Sequence, residues 1–126
     1  MDLFSSIGQF NAVFKVPKTR PADINYKDLQ LAISVIQEEV NELTAAAEVM
    51  DEVSIFDALV DIIYVTTQQA DRMGFPLREG FDEVHSSNMS KLDDNGEPIF
   101  REDGKVLKGS NFVPPNLKDV LEVFAR

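Results

Sequence analysis

From Asp28 to Asp71 the chain carries ten carboxylates and no lysine or arginine. They are Asp28, Glu38, Glu39, Glu42, Glu48, Asp51, Glu52, Asp57, Asp61 and Asp71. They account for the whole net charge of −10, because outside this stretch twelve acids face twelve bases. An acidic block of this kind is ordinarily a solvated face or a disordered tail. Here it is interleaved with Leu31, Ile33, Val35, Ile36, Val40, Leu43, Ile55, Leu59, Val60, Ile62 and Ile63 at helical spacing. Such a segment has to fold as helices that bury apolar faces while holding carboxylates at their edges. Carboxylates on core-forming helices without basic partners call for some other cation.

The remaining residues punctuate these helices. Residues 2–14 read as a short amphipathic helix carrying Leu3, Phe4, Ile7, Phe10, Val13 and Phe14, and Pro17 and Pro21 break the chain after it. Residues 26–50 contain no Pro or Gly and form a second helix. Asp51 or Ser54 caps a third, which runs to about residue 73 and stops at Gly74-Phe75-Pro76. Residues 77–89 make a fourth. Asp94-Asn95-Gly96-Glu97-Pro98 and Asp103-Gly104 are turn signals around Ile99-Phe100 and Val106-Leu107. They predict a short hairpin or ordered loop near residues 93–110. Pro114-Pro115 leads into a last helix over residues 116–124. The expected fold is all-α, a four- to five-helix bundle forming one domain over residues 1–126.

Composition removes several functions. Without cysteine there is no disulfide, zinc–thiolate site, iron–sulfur cluster or thiol catalysis. The net negative charge argues against a nucleic acid polymer or an anionic membrane as partner. No apolar run reaches the ~20 residues of a membrane span. Met1-Asp2-Leu3-Phe4 lacks the basic start of a signal peptide, so a cytoplasmic protein is expected. There is no Gly-rich phosphate loop, nucleophile elbow or Ser/His/Asp set.

At 100° per residue, Glu38 and Glu42 on the second helix lie about 40° apart, with Glu39 about 60° beyond Glu42. The three continue an apolar strip from Leu31 and Val35 into Ala45 and Ala46, and Ile36, Val40, Leu43 and Ala47 form a second apolar face. The helix is therefore expected to be largely buried, with its acids on the edge of the buried arc. On the third helix Asp57, Asp61, Tyr64 and Gln68 form one narrow polar stripe, although Tyr64 also suits the core. Each stripe alone is commonly a solvated face, and a charged subunit interface is an alternative for both. Together, on base-free apolar helices, they point to a hard divalent cation held by oxygen, Mg²⁺ or Mn²⁺ rather than zinc. Open sites of this kind complete their shell with substrate phosphates.

A third cluster follows the acids. Asn88 and Lys91 can face one site, and Lys91, Arg101, Lys105 and Lys108 supply positive charge that anionic phosphates would match. The same residues also suit an ordinary polar loop. His85 reads as a packing or capping residue. Asp93-Asp94-Asn95-Gly96 lacks the later ligands of an EF-hand.

Glu38-Glu39-Val40-Asn41-Glu42 followed by Asp57-Ala58-Leu59-Val60-Asp61-Ile62-Ile63-Tyr64-Val65 resembles the all-α nucleoside triphosphate pyrophosphatases. That superfamily includes MazG, the dimeric dUTPases and phosphoribosyl-ATP pyrophosphohydrolase. His85 through Lys91, then Asp103-Gly104-Lys105-Val106-Leu107-Lys108-Gly109 and Pro114-Pro115, is similar to the MazG-like branch of bacteria and their phages. The resemblance covers residues 26–116. It implies an enzyme that uses Mg²⁺, with Mn²⁺ as a substitute, to hydrolyse a (deoxy)nucleoside triphosphate to monophosphate and pyrophosphate. Such an enzyme would serve nucleotide-pool control as a homodimer or homotetramer, in the bacterial host's cytoplasm if phage-encoded. By position, Glu39, Glu42 and Asp61 would be metal ligands. Glu38 would be a ligand or, with Glu39, part of the catalytic pair that orients the attacking water. Asn88, Lys91, Lys105, Lys108 and Tyr64 would lie on the substrate side. Many members carry Glu three residues before the Asp matching Asp61, where this chain has Ala58. Asp57, four residues before, faces the same way and is expected to substitute as a metal ligand. Analogy with phage relatives favours dGTP or dATP. The alternatives are dUTP or phosphoribosyl-ATP within the class and a non-catalytic acidic helical binding module outside it. The tail beyond the fourth helix argues against the compact phosphoribosyl-ATP form.

Overall fold

Five α-helices and one two-stranded ribbon make up the chain in a computed structural model that describes residues 1–125. The helices are α1 (Leu3–Val13), α2 (Tyr26–Val49), α3 (Glu52–Arg72), α4 (Leu77–Met89) and α5 (Leu117–Phe124), with strands β1 (Ile99–Phe100) and β2 (Val106–Leu107) between α4 and α5. The architecture is all-α, as the sequence predicts. The chain divides into two compact units, Met1–Leu77 and a second that begins at Arg78.

Side-chain caps fix the starts of α1 and α2, whereas the Asp51 side chain, at the cap position of α3, accepts the Ser54 hydroxyl and no backbone N–H, so the expected side-chain cap of α3 does not form. Asp2 accepts the Ser5 N–H at 2.7 Å to open α1. Asn25 and Asp28 form a reciprocal capping box at the start of α2, with bonds of 3.0 and 2.9 Å. Met50 closes α2 in the left-handed conformation (φ 53°), and only Met50 and Asp51 separate α2 from α3. So short a link sends α3 back antiparallel to α2. The far ends confirm it, since Arg72 at the end of α3 donates to the Asp28 carboxylate (3.1 Å) and carbonyl (3.0 Å) at the start of α2. The Arg72 Nε–H is held by Gln69 at 2.9 Å. Gly74 then stops the chain at φ +78°, and a Cβ there would lie 2.6 Å from the Thr19 carbonyl oxygen, so only glycine fits.

α1 lies along α3. The Asn11 amide donates to the Gln68 carbonyl (3.3 Å) and the Asp71 carboxylate (2.8 Å). Phe10 meets Tyr64 edge-on at 5.7 Å and stacks on Phe14 at 4.5 Å. Ile7, Ala32, Ala46, Ala58 and Met73 are the buried apolar residues of this unit. The expectation that α2 is largely buried is corrected here. Only Ala32 and Ala46 of α2 are buried, while Leu31 and Ile33 are 49% and 64% exposed. Within the unit α2 packs against α3, and one neighbour covers only one sector of a helix about 10 Å across. α3 likewise leaves Phe56 and Ile63 exposed.

In the second unit β1 and β2 pair antiparallel, Ile99 opposite Leu107 and Phe100 opposite Val106, so the expected hairpin forms. Asp93 accepts the N–H groups of Asn95 and Glu97 at 2.9 Å each, a side-chain-capped turn. Gly109 approaches the 91–92 backbone so closely that a Cβ would lie 2.6 Å from the Leu92 carbonyl oxygen. Asn116 caps α5 by accepting the Asp119 N–H at 3.1 Å. His85 is exposed rather than packed, because the buried position of α4 is Ser87, about 200° round the helix. Among the described residues no helix is long and apolar enough to cross a membrane.

Candidate active site

The antiparallel pairing of α2 and α3 brings their acidic stripes face to face. Carboxylate oxygens of Glu39, Glu42 and Asp61 all lie within 4.8 Å of one another. Glu39 and Glu42 are three residues apart on α2, hence neighbours on its surface, and Asp61 reaches them from α3. Like charges this close repel strongly unless a proton or cation intervenes. The Glu39 carboxyl is accordingly raised above the ordinary glutamate range, by partial burial first, then by contact with Glu42 and the charges of Asp61 and Glu38. One of its oxygens, Oε2, is buried and has no hydrogen-bond partner. Buried acceptors are almost always satisfied.

Glu38 and Asp57, also expected at the site, are exposed and lie outside this trio. Asp57 instead lines a cavity of about 370 Å³ with Glu42, Ala45, Ala46, Val49, Ser54 and Ala58, so Glu42 borders both the trio and the cavity. Among the described residues Glu38, Glu39, Glu42, Asp57 and Asp61 make no ion pair. The two outermost acids of the base-free block do: Asp28 with Arg72 at 3.1 Å and Asp71 with Lys18 at 3.4 Å. Sequence reasoning missed these pairs, whose bases stand outside the block that defines the pattern. Tyr64 is half-buried against Phe10, in keeping with its core reading.

The other residues expected on the substrate side stand on the second unit. Asn88 and Lys105 are exposed and Lys91 is half-buried. The ammonium of Lys108 lies 4.7 Å from the centre of the Phe112 ring, a cation–π contact. Arg101, counted on sequence as local positive charge, is neutralised by Asp103, which its guanidinium holds below the ordinary aspartate range. Ser87 and Ser90 of the 85–91 segment bind backbone. Ser87 donates to the Val113 carbonyl at 2.8 Å, and the Val113 N–H donates to Ser90 at 2.9 Å. Ser87 stands on α4 and Ser90 in the turn just after it, three residues on.

Residues 7–88, from α1 through nearly all of α4, match the family model described as phosphoribosyl-ATP pyrophosphohydrolase. A protein of Acanthamoeba polyphaga mimivirus, described as uncharacterized protein L479, is 29% identical over a 132-residue alignment that covers 78% of this chain. The chain spans about half, 52%, of that relative's length.

Proposed function

The chain belongs to the phosphoribosyl-ATP pyrophosphohydrolase family, and from that premise we propose that it hydrolyses a (deoxy)nucleoside triphosphate to the monophosphate and pyrophosphate. The observation that carries the reading is the Glu39–Glu42–Asp61 trio, three carboxylates within 4.8 Å with no base among them. These residues fit a hard divalent cation. The donors are all carboxylate oxygen, drawn from two rigid helices, and Glu39 Oε2 is a buried acceptor still lacking a partner. Mg²⁺ is the proposed ion, with Mn²⁺ as substitute. When bound it supplies charge neutralisation for phosphate oxygens and acidifies water.

In this reading Glu39, Glu42 and Asp61 hold the ion. Glu38, next to Glu39 and exposed, orients the attacking water and takes its proton. No protein nucleophile is needed, since phosphoryl hydrolysis asks mainly for positioning and charge compensation. Asn88, Lys91, Lys105 and Lys108 are proposed as anion-binding residues of the second unit. The exposed apolar positions of α2 and α3, Ile33, Phe56 and Ile63 among them, are proposed to be covered by a second copy in a homodimer or a tetramer of dimers. The proposed setting is the cytoplasm, in nucleotide-pool control, with dGTP or dATP as the favoured substrates. Phosphoribosyl-ATP is the second reading, favoured by the description of the matching family.

The test is a panel of the dNTPs, NTPs, dUTP and phosphoribosyl-ATP with Mg²⁺ or Mn²⁺, resolving monophosphate, diphosphate, pyrophosphate and phosphate. Monophosphate plus pyrophosphate from a nucleoside triphosphate is the expected result. Turnover of phosphoribosyl-ATP alone would select the second reading. No turnover of any member would leave an acidic binding module. Sedimentation at micromolar concentration tests the assembly, and a monomer would overturn it.

A further inference from the structure

Glu42 belongs to the carboxylate trio and also lines the neighbouring cavity, so the two are adjacent. Because α2 and α3 run antiparallel, Ala46, one turn after Glu42, and Asp57, one turn before Asp61, lie on the same side of the trio, toward the Met50–Asp51 link. If the phosphates of a nucleotide sit at the trio, a nucleoside turned toward the link enters this cavity. Its volume of about 370 Å³ lies at the small end of small-molecule sites.

The lining has the chemistry of a base pocket. Ala45, Ala46, Val49 and Ala58 give short apolar walls suited to the face of a planar heterocycle, and Ala46 and Ala58 are buried. A longer side chain at position 58 would fill the space. Of the polar residues, Ser54 donates its hydroxyl to Asp51, and Glu42 belongs to the trio. Asp57 remains, with no hydrogen bond or ion pair among the described residues and a carboxylate that can only accept. A nucleobase edge with two adjacent N–H donors satisfies both of its oxygens, and guanine has one, N1–H beside the 2-amino group. Adenine and cytosine set an amino group beside an unprotonated ring nitrogen, and uracil flanks its N–H with carbonyls. Each of these turns an acceptor toward the carboxylate and so forms one hydrogen bond fewer than guanine would.

We propose that Asp57 reads the substrate's base and that this base is guanine. The proposal rests on the pyrophosphohydrolase reading and deepens it, since it makes Asp57 specificity-determining instead of a further metal ligand.

The experiment is calorimetric binding of dGMP, dIMP, dAMP, dCMP and dUMP with Mg²⁺ present, beside hydrolysis of the matching triphosphates. Hypoxanthine in dIMP differs from guanine only by the missing 2-amino group. Wild type is expected to bind dGMP about tenfold more tightly than dIMP, the scale of one base-edge hydrogen bond. Asp57→Asn and Asp57→Ala should bring that ratio to within about twofold of unity. Ala45→Leu, which narrows the cavity without touching the charge, should weaken every monophosphate while pyrophosphate binding is retained. Equal wild-type affinity for dGMP and dIMP would overturn the proposal. So would an Asp57→Asn protein weakened equally toward all five and needing more Mg²⁺, the behaviour of a lost metal ligand. Hydrolysis without guanine preference defeats this inference alone, whereas no hydrolysis of any triphosphate defeats the reading beneath it.

Discussion

Two acidic sites on the same pair of helices behave in opposite ways. At the open end Asp28 receives the Asn25 N–H and the Arg72 guanidinium, which together hold its carboxyl below the ordinary aspartate range. Midway along the pair Glu39 meets Glu42, Asp61 and Glu38, and burial and repulsion push its carboxyl up. Residue chemistry and secondary structure are shared, so the difference lies in whether the fold supplies the countercharge. Where it does, the acid is a structural clamp. Where it does not, the helices hold a negative site that an ion from solution can complete, and perturbed groups of this second kind are those that mark function.

The contrast breaks most sharply under neutralising substitutions in the trio. Glu39→Gln and Asp61→Asn should each lower turnover by about 100-fold or more. Their melting temperatures without metal should be equal to or above wild type, because a repulsion is removed. Normal turnover in both would end the ligand assignment.

Next is the metal response and its pH dependence. Mg²⁺ at about 100 times its dissociation constant should add about 2.7 kcal/mol to wild-type stability, read as a thermal shift absent from both variants. Binding requires ionised Glu39, so the gain is full above that group's raised pKa and vanishes as pH falls through it. Without metal the sign reverses. Glu39 favours the fold below the ordinary glutamate value of 4.5, and that contribution is lost as pH rises through the raised one. Asp28 stabilises above the ordinary aspartate value of 3.8, and its contribution is lost only as pH falls through its lowered one. Between the two titrations the protein should be folded yet unresponsive to Mg²⁺. A response that fades only with unfolding would dissolve the distinction.

Smaller effects probe the clamp. Arg72→Met should cost about 2 kcal/mol in urea denaturation, since it leaves the Asp28 carboxylate without its guanidinium. The Mg²⁺ thermal shift should persist, and its loss would show that the two sites act as one. Asn25→Ala removes one half of the capping box and should cost about 1 kcal/mol, again with the metal response intact.

Much of this was legible in the residues. Proline, glycine and capping side chains marked the helix ends because these signals act within a few positions, and the observed bounds of α2 and α4 follow them. Helical spacing put Glu39 and Glu42 on one sector and Asp61 on another. It did not separate them from Glu38 and Asp57, since membership of the trio depends on how the two helices register against each other. The pairing of Arg72 with Asp28 joins residues 44 positions apart, and no local spacing rule links them. The exposure of Leu31 and Ile33 was hidden for the same reason, because an apolar face shows that burial is wanted but not that this chain alone provides it. In the second unit Arg101 looked available for phosphate until the turn folded Asp103 against it.

The two-residue link between α2 and α3 has a further consequence. It works as a phase lock. One inserted residue in continuous helix would advance everything after it by about 100°, enough to swing Asp61 off the line of Glu39 and Glu42. The site is thus written as much in a count as in its side chains. Met50 and Asp51 are exposed, so their side chains matter less to the register than their number, which cannot change. Lengthening or shortening the link by one residue should abolish turnover while α2 and α3 persist as helices, an outcome that no single substitution in the link would produce.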